Sequence, residues 1–150
     1  MHDDVIQLIE RSKVAFPKFG NGVSEATVTK AEAALRIPLP ESYKWWLLNY
    51  GGGQIKGDIV YGLEDGLEPD EWGPDIVELA RMNEHDGLYY KDRLVFSMGN
   101  AENFFFDTTK MENGEYQVFT HDITQNDMTP YARSFVEFLQ KRIRELCGVV

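Results

Sequence analysis

Between Glu41 and Tyr50 the large apolar positions are Tyr43, Trp46, Leu47 and Tyr50. Their i, i+3, i+4, i+7 spacing lays one hydrophobic stripe along an α-helix. Pro38 and Pro40 flank Leu39 just ahead. A proline in the first helical turn gives up no hydrogen bond and arrives with its φ already set. Gly51, Gly52 and Gly53 follow, and glycine adopts the left-handed conformation that ends a helix without a Cβ clash. The block Ile37 to Gly53 therefore predicts a helix with a firm start and stop. Upstream, Val5, Leu8, Ile9 and Ser12 mark one side of a helix from Asp3 to Lys13. The run Phe16 to Gly22 is rich in chain breakers. Ser24 then reads as an N-cap, with Val23 and Val28 as the two partners of a hydrophobic staple. This second helix runs to about Arg36 and buries Val28, Ala31 and Leu35.

After the glycines the period changes to two. Ile59, Tyr61 and Leu63 alternate with Asp58, Val60 and Gly62, which predicts a strand. Pro69, Gly73 and Pro74 interrupt the next stretch, which reads as a long exposed loop. Ile76 to Asn83 is compatible with either a short helix or a strand. Leu94 to Met98 predicts a strand ended by Gly99-Asn100, and Asn103 to Thr108 pairs with Tyr116 to His121 as a hairpin across Asn113-Gly114. In a last helix Thr129 caps, Pro130 takes the first turn, and Phe135, Phe138, Leu139, Ile143 and Leu146 face inward, with Glu137 and Lys141 paired on the wet side. The order of helices, strands and a closing helix predicts an α+β fold in one domain, a mostly antiparallel twisted sheet packed against N-terminal and C-terminal helices.

Charge changes this picture at one place. The 150-residue chain carries a formal net charge of −10. Eight of its 25 carboxylates lie between Gly57 and Ala80, namely Asp58, Glu64, Asp65, Glu68, Asp70, Glu71, Asp75 and Glu78, in a segment without Lys, Arg or His. The other seventeen face 15 Lys and Arg, so one segment makes most of the negative field. That balance argues against a nucleic-acid binder, which needs clustered cations for phosphate contacts. The hydrophobic fraction of 43% is that of a globular protein. A single cysteine, Cys147, excludes an internal disulfide framework and agrees with a reducing compartment, where a thiol so near the C-terminus is expected to be mobile and free. No apolar run approaches the roughly 18 residues of a membrane helix, and Met1-His2-Asp3-Asp4 does not start a secretory signal. The expected location is the cytoplasm.

Chemical constellations are absent from the pattern. His85, in Glu84-His85-Asp86, has no second histidine at ligand spacing and reads as an exposed loop residue. His121, beside Asp122, reads as a structural histidine facing Asp107 across the hairpin. No serine sits in a Gly-x-Ser-x-Gly elbow, and Gly51-Gly52-Gly53 lacks the Gly-Lys-Ser/Thr ending of a phosphate loop. Neither a catalytic residue nor a cofactor is expected. Asp65 to Glu71 has closely spaced oxygens without the register of an EF-hand, so no metal site is assigned. The segment stands open between a solvated face, a metal site and a surface for a basic partner. Trp72 favours the last, because a tryptophan rimmed by charge is a common interface anchor. The candidate partner-binding residues are Glu64, Asp65, Glu68, Asp70, Glu71, Trp72 and Asp75. Phe104 and Phe106 share one face of a strand while Phe105 points to the other. If the sheet is covered on one side only, Phe105 becomes a second anchor on an exposed concave face.

Several of these residues resemble the SUKH superfamily, which includes the Smi/Knr cell-wall regulator of yeast and many bacterial immunity proteins. They are Ala31-Glu32-Ala33-Ala34-Leu35-Arg36-Ile37, Leu39-Pro40, Tyr43, Trp46, Leu47 and Tyr50-Gly51, then Gly99-Asn100, Asn103 to Asp107 and Gly114, and finally Ser134 to Leu139. The likeness runs from about Val23 to Leu139. Two departures stand out: Arg36 where the family often has Gly, and Glu102-Asn103 where it often has Gly-Asp. The resemblance implies an α+β domain without an active site. In bacteria it implies an immunity protein that binds and neutralises a cognate polymorphic toxin domain, often a nuclease. The alternative it leaves is a non-catalytic scaffold or regulatory interaction domain of the Smi/Knr type. A basic nuclease groove and an acidic protein are complementary, which agrees with the charge pattern.

Overall fold

A computed structural model of the chain describes residues 2–14, 22–65, 75–85, 87 and 92–148. Among these, five helices and six strands form a mixed α+β fold: α1 (Asp3–Ser12), α2 (Glu25–Leu35), α3 (Glu41–Asn49), β1 (Gly53–Ile55), β2 (Asp58–Val60), α4 (Ile76–His85), β3 (Arg93–Met98), β4 (Glu102–Glu112), β5 (Glu115–Asp122), β6 (Asp127–Ala132) and α5 (Phe135–Cys147). The strands make one sheet in sequence order, every neighbouring pair antiparallel. The connections between neighbours are short except that from β2 to β3, which holds the acidic segment and α4.

The inner face of the sheet carries Phe96, Phe104, Phe106 and Val118, and against it pack Tyr43, Trp46 and Leu47 of α3 and Phe135, Phe138, Leu139 and Ile143 of α5. Val5, Leu8 and Ile9 of α1 complete this core from behind α5. Tyr43 sits at its centre. Its ring meets Phe135 edge-on at 4.9 Å and Phe106 at 5.4 Å, and its hydroxyl donates to Tyr61 O at 2.7 Å. Such geometry adds about 0.5–1.5 kcal/mol per aromatic pair beyond area burial.

The start of α3 has no side-chain cap, because its N-cap residue is Pro40. The β4–β5 hairpin supplies the missing acceptors. Gly114 O accepts from Glu41 N at 2.8 Å, and the Glu115 carboxylate accepts from both Ser42 N and Ser42 Oγ at 2.8 Å. Ser42 Oγ in turn accepts from Val136 N at 3.2 Å, so one buried serine joins α3, α5 and the hairpin. The turn itself holds Asn113 at φ 52° and Gly114 at φ 79°, the paired positive values of a tight hairpin. A Cβ on Gly114 would come within 2.6 Å of Glu41 Cγ. Upstream, Glu32 Oε2 accepts from Leu39 N at 2.7 Å and Pro38 O accepts from the Tyr116 hydroxyl at 2.7 Å, which fixes the Leu-Pro link between α2 and α3.

The three N-terminal helices, the Ser24 cap with its Val23–Val28 staple, and the Asn113-Gly114 hairpin match the sequence expectation. The open segment after Asp75 is a helix, α4, capped by Asp75. Four expectations are corrected. The cap of the last helix is Ser134, whose Oγ accepts from Glu137 N at 3.1 Å; Thr129 and Pro130 instead lie in β6. β6 is an edge strand, the one kind of sheet position where a missing N–H is tolerated. The strand parity at Ile59 is reversed: Val60 is buried and Ile59 exposed, because β2 is only three residues long and turns irregular at Tyr61. The third glycine of the stop opens β1, a short strand joined to β2 through Lys56-Gly57. Cys147 ends α5 half-buried against the core, so its thiol belongs to a helix rather than to a mobile tail.

Two predictions follow from this core. Glu115→Ala leaves two donors on Ser42 without acceptors and should lower unfolding free energy by about 1–3 kcal/mol, read from urea denaturation at unchanged slope. Glu112→Ala, which removes only an exposed ion pair with Lys110, should leave the midpoint unmoved. Burial, and next the Asp75 carboxylate, hold the Tyr43 phenol well above its ordinary value. A proton held more tightly in the folded state means stability present below about pH 10, the value for unfolded tyrosine, and lost as pH rises beyond it. Tyr43→Phe should therefore lose about 1 kcal/mol at neutral pH through the Tyr61 hydrogen bond. It should also decline less steeply above about pH 10; equal alkaline slopes in urea midpoints would refute the assignment.

Candidate interaction surface

The acidic segment leaves the sheet at a closed neck. Leu63 N donates to Gly51 O at 2.9 Å, and Ile76 N donates to Gly62 O at 2.9 Å. A Cβ on Gly62 would lie 1.8 Å from Gly51 O, so glycine is required for this approach. The entry is tied to α2, because the Asp65 carboxylate accepts from Ser24 N at 3.1 Å and from the hydroxyls of Ser24 and Thr27. The exit is tied to α4, because Asp75 Oδ1 accepts from Glu78 N at 2.9 Å. Carboxylates at helix N-termini meet both free N–H groups and the positive end of the dipole.

The candidate residues thus divide. Asp65 and Asp75 anchor the two ends of the segment. Glu64 is half-buried beside the neck, its Oε2 shielded from solvent. Glu68, Asp70, Glu71 and Trp72 lie outside the described residues. Phe105 is not an exposed anchor: it is only 3% exposed. It does point to the outer face, opposite Phe104 and Phe106, but α4 covers it there through Leu79. Phe119 stacks beside it at 5.6 Å, and the Arg93 guanidinium lies 5.5 Å from its ring centre.

Among the described residues of the outer face one cross-strand row mixes apolar and polar side chains, with Asn103 buried within it. Register aligns Ile59, Met98, Asn103, His121 and Met128 across five strands, and Ile59 and Met128 at its ends are 37% and 36% exposed. Sequence reasoning missed this row because the residues are scattered over 70 positions of chain. Only the cross-strand register brings them together. Methionines suit surfaces that repack against a partner. His121 does not face Asp107: its Nε2 meets Asn126 Oδ1 at 2.9 Å, while Asp107 accepts from Thr109. His85 is exposed in the last turn of α4, not in a loop.

On the inner side Arg142 of α5, 11% exposed, reaches Asp58 at 3.2 Å and Glu102 at 3.5 Å and lies 4.8 Å from the Phe104 ring centre. This pairing locks α5 to β2 and β4, and shows what Glu102 does at one of the two positions where the chain departs from its relatives' pattern. At the other, Arg36 holds φ 61° as the C-cap of α2, the conformation that glycine takes without strain.

Among the described residues no three His, Cys, Asp or Glu side chains are placed to hold a metal ion, and no helix is long and apolar enough to cross a membrane. Surface grooves lie between α2, α4 and the start of β3, at about 490 Å³, and between α2 and α3, at about 420 Å³. Among the described residues the domain is thus an antiparallel sheet backed by helices, with both ends of an acidic segment fixed to helix starts. The model of the SMI1/KNR4 family (SUKH-1) matches residues 22–141. The chain belongs to that family.

The anchoring role of Asp65 is separable from any binding role. Asp65→Ala removes the acceptor for Ser24 N and should cost about 1 kcal/mol of stability in thermal or urea unfolding. Glu68→Ala should leave stability unchanged; equal losses from both would remove Asp65 from the anchor.

Proposed function

We propose that this protein is an immunity protein that binds a cognate polymorphic toxin domain, a basic nuclease, and neutralises it by covering its phosphate groove. The tethering of the acidic segment carries the reading. Both described ends of the segment cap helices, Asp65 at α2 and Asp75 at α4, across a neck closed by the Leu63–Gly51 and Ile76–Gly62 backbone bonds, and the sequence between them carries Glu68, Asp70, Glu71 and Trp72. The carboxylates supply steering and the tryptophan a desolvated contact. Membership of the SUKH-1 family is consistent with this role. Binding needs no cofactor, metal or chemical step, and the complex would form in the cytoplasm that makes both proteins.

Co-expression with the toxin domain encoded beside it should rescue growth, and the two should co-purify. In stopped-flow binding the triple variant Glu68→Gln/Asp70→Asn/Glu71→Gln should associate about tenfold more slowly at low salt and lose most of its salt dependence. Rescue with unaltered kinetics would move the contact off this loop. Absence of both rescue and binding would leave the scaffold reading of the family.

A further inference from the structure

The groove between α2 and α3 has the chemistry of a docking site for a positively charged amphipathic helix. α2 presents Glu25, Val28 and Glu32 along one face, and α3 presents Glu41, Trp45 and Leu48 along the facing one. Val23 N, just ahead of α2, donates to Leu47 O near the end of α3 at 3.0 Å, and Glu32 near the end of α2 holds Leu39 N just ahead of α3, so the start of each helix lies toward the end of the other. The floor is apolar and the walls carry carboxylates. Among the described residues Lys44 is the one cation lining the groove, and Glu41 already engages it at 3.1 Å. Asp65 is bound to Ser24 and Thr27 at the open end of α2, so the acidic segment begins where this groove ends.

Trp45 is held ready for contact. It is half-buried, its ring packs against His2 at 4.4 Å and Tyr50 at 6.0 Å, and its carbonyl accepts from Asn49 Nδ2 at 2.7 Å. A rigid, partly exposed indole offers area at low entropic cost and a π-face for a cation. Two antiparallel helices of 11 and 9 residues leave a trough on the order of 15 Å long, which matches about three turns of a third helix. The geometry points to the α2–α3 groove as the seat of a helix whose aliphatic stripe meets Val28, Trp45 and Leu48 and whose flanking Lys and Arg meet Glu25 and Glu41. It rests on the proposed function for the identity of the partner, a basic toxin domain, but not for the chemistry of the groove.

The test uses two ligands. The first is an N-acetylated, C-amidated Leu/Lys helical peptide of about 18 residues, with a Leu/Glu peptide of the same pattern as control. On the full chain the Leu/Lys peptide should shift the NMR signals of the Trp45 indole N–H and the Val28 and Leu48 amides, and the control should not. The double variant Glu25→Lys/Glu41→Lys, at two exposed positions, should keep its fold by circular dichroism and bind at least tenfold more weakly. Glu32 is left in place because it holds Leu39 N. Shifts centred on the Ile59–Met128 strip, or affinity unchanged by charge reversal, would overturn the assignment. The second ligand is the toxin domain itself. Toxin bound equally by wild type and double variant overturns the groove while immunity stands. Toxin left unbound by wild type, with the peptide still seated between α2 and α3, defeats the immunity reading and supports the groove.

Discussion

The buried phenol of Tyr43 is the point on which the rest of the structure turns. A tyrosine with no exposed surface must place its hydroxyl against an acceptor or strand it at a cost of about 1–3 kcal/mol. The acceptor here is Tyr61 O, at the place where β2 ends and the acidic segment departs. The ring of the same residue is clasped by Trp46, Phe96, Phe106 and Phe135, drawn from α3, β3, β4 and α5. One side chain therefore couples the packing of the helices on the sheet to the position of the loop neck. Gly51 O, one turn of chain past α3, adds the second tie by accepting from Leu63 N. The helix and its glycine stop therefore also fix the described start of the acidic segment.

The far end of α3 shows a complementary constraint. Prolines at a helix start cannot cap with a side chain, so the backbone donors that follow need acceptors from elsewhere. The hairpin provides them through Gly114 and Glu115, contacts that close only when β4 and β5 are already paired. The helix and the hairpin are thus mutually dependent, a long-range coupling between segments some 70 residues apart. Arg142 makes a third such tie, between α5 and the strands bearing Asp58 and Glu102.

Much of this was legible in the chain. Periodicity located α1, α2 and α3 because each buries a continuous stripe, and Asn113-Gly114 located the central hairpin because few residues accept two positive φ angles in succession. What misled was chemistry shared by two structures. Thr129-Pro130 is equally a helix start and an edge-strand pair, and only the pairing of Pro130 with Phe119 decides between them. Phe105 was correctly placed on the outer face, yet its exposure depended on whether the segment after Asp75 formed a helix that crosses that face. Composition alone leaves that undecided, since Ile76–His85 reaches its buried position through Leu79 against Val95 and Phe105, a contact between remote segments. The row from Ile59 to Met128, apolar at its ends and polar at Asn103 and His121, was invisible for the same reason: register, not spacing, creates it.

The carboxylates of this protein do two jobs that do not compete. Glu32, Asp65, Asp75 and Glu115 accept backbone N–H groups at helix starts and links, where a charged acceptor is about twice as strong as a neutral one. These four belong to the 25 carboxylates behind the formal net charge of −10 and so add to the long-range field of the protein. Other carboxylates stand outside this set: Glu25 and Glu41 are exposed in the first turns of α2 and α3, Glu41 beside Lys44. Exchanging them leaves in place the acceptors on which the helix starts and the Leu-Pro link depend, so the surface charge of α2 and α3 can vary on a scaffold held by a different set of the same residue type.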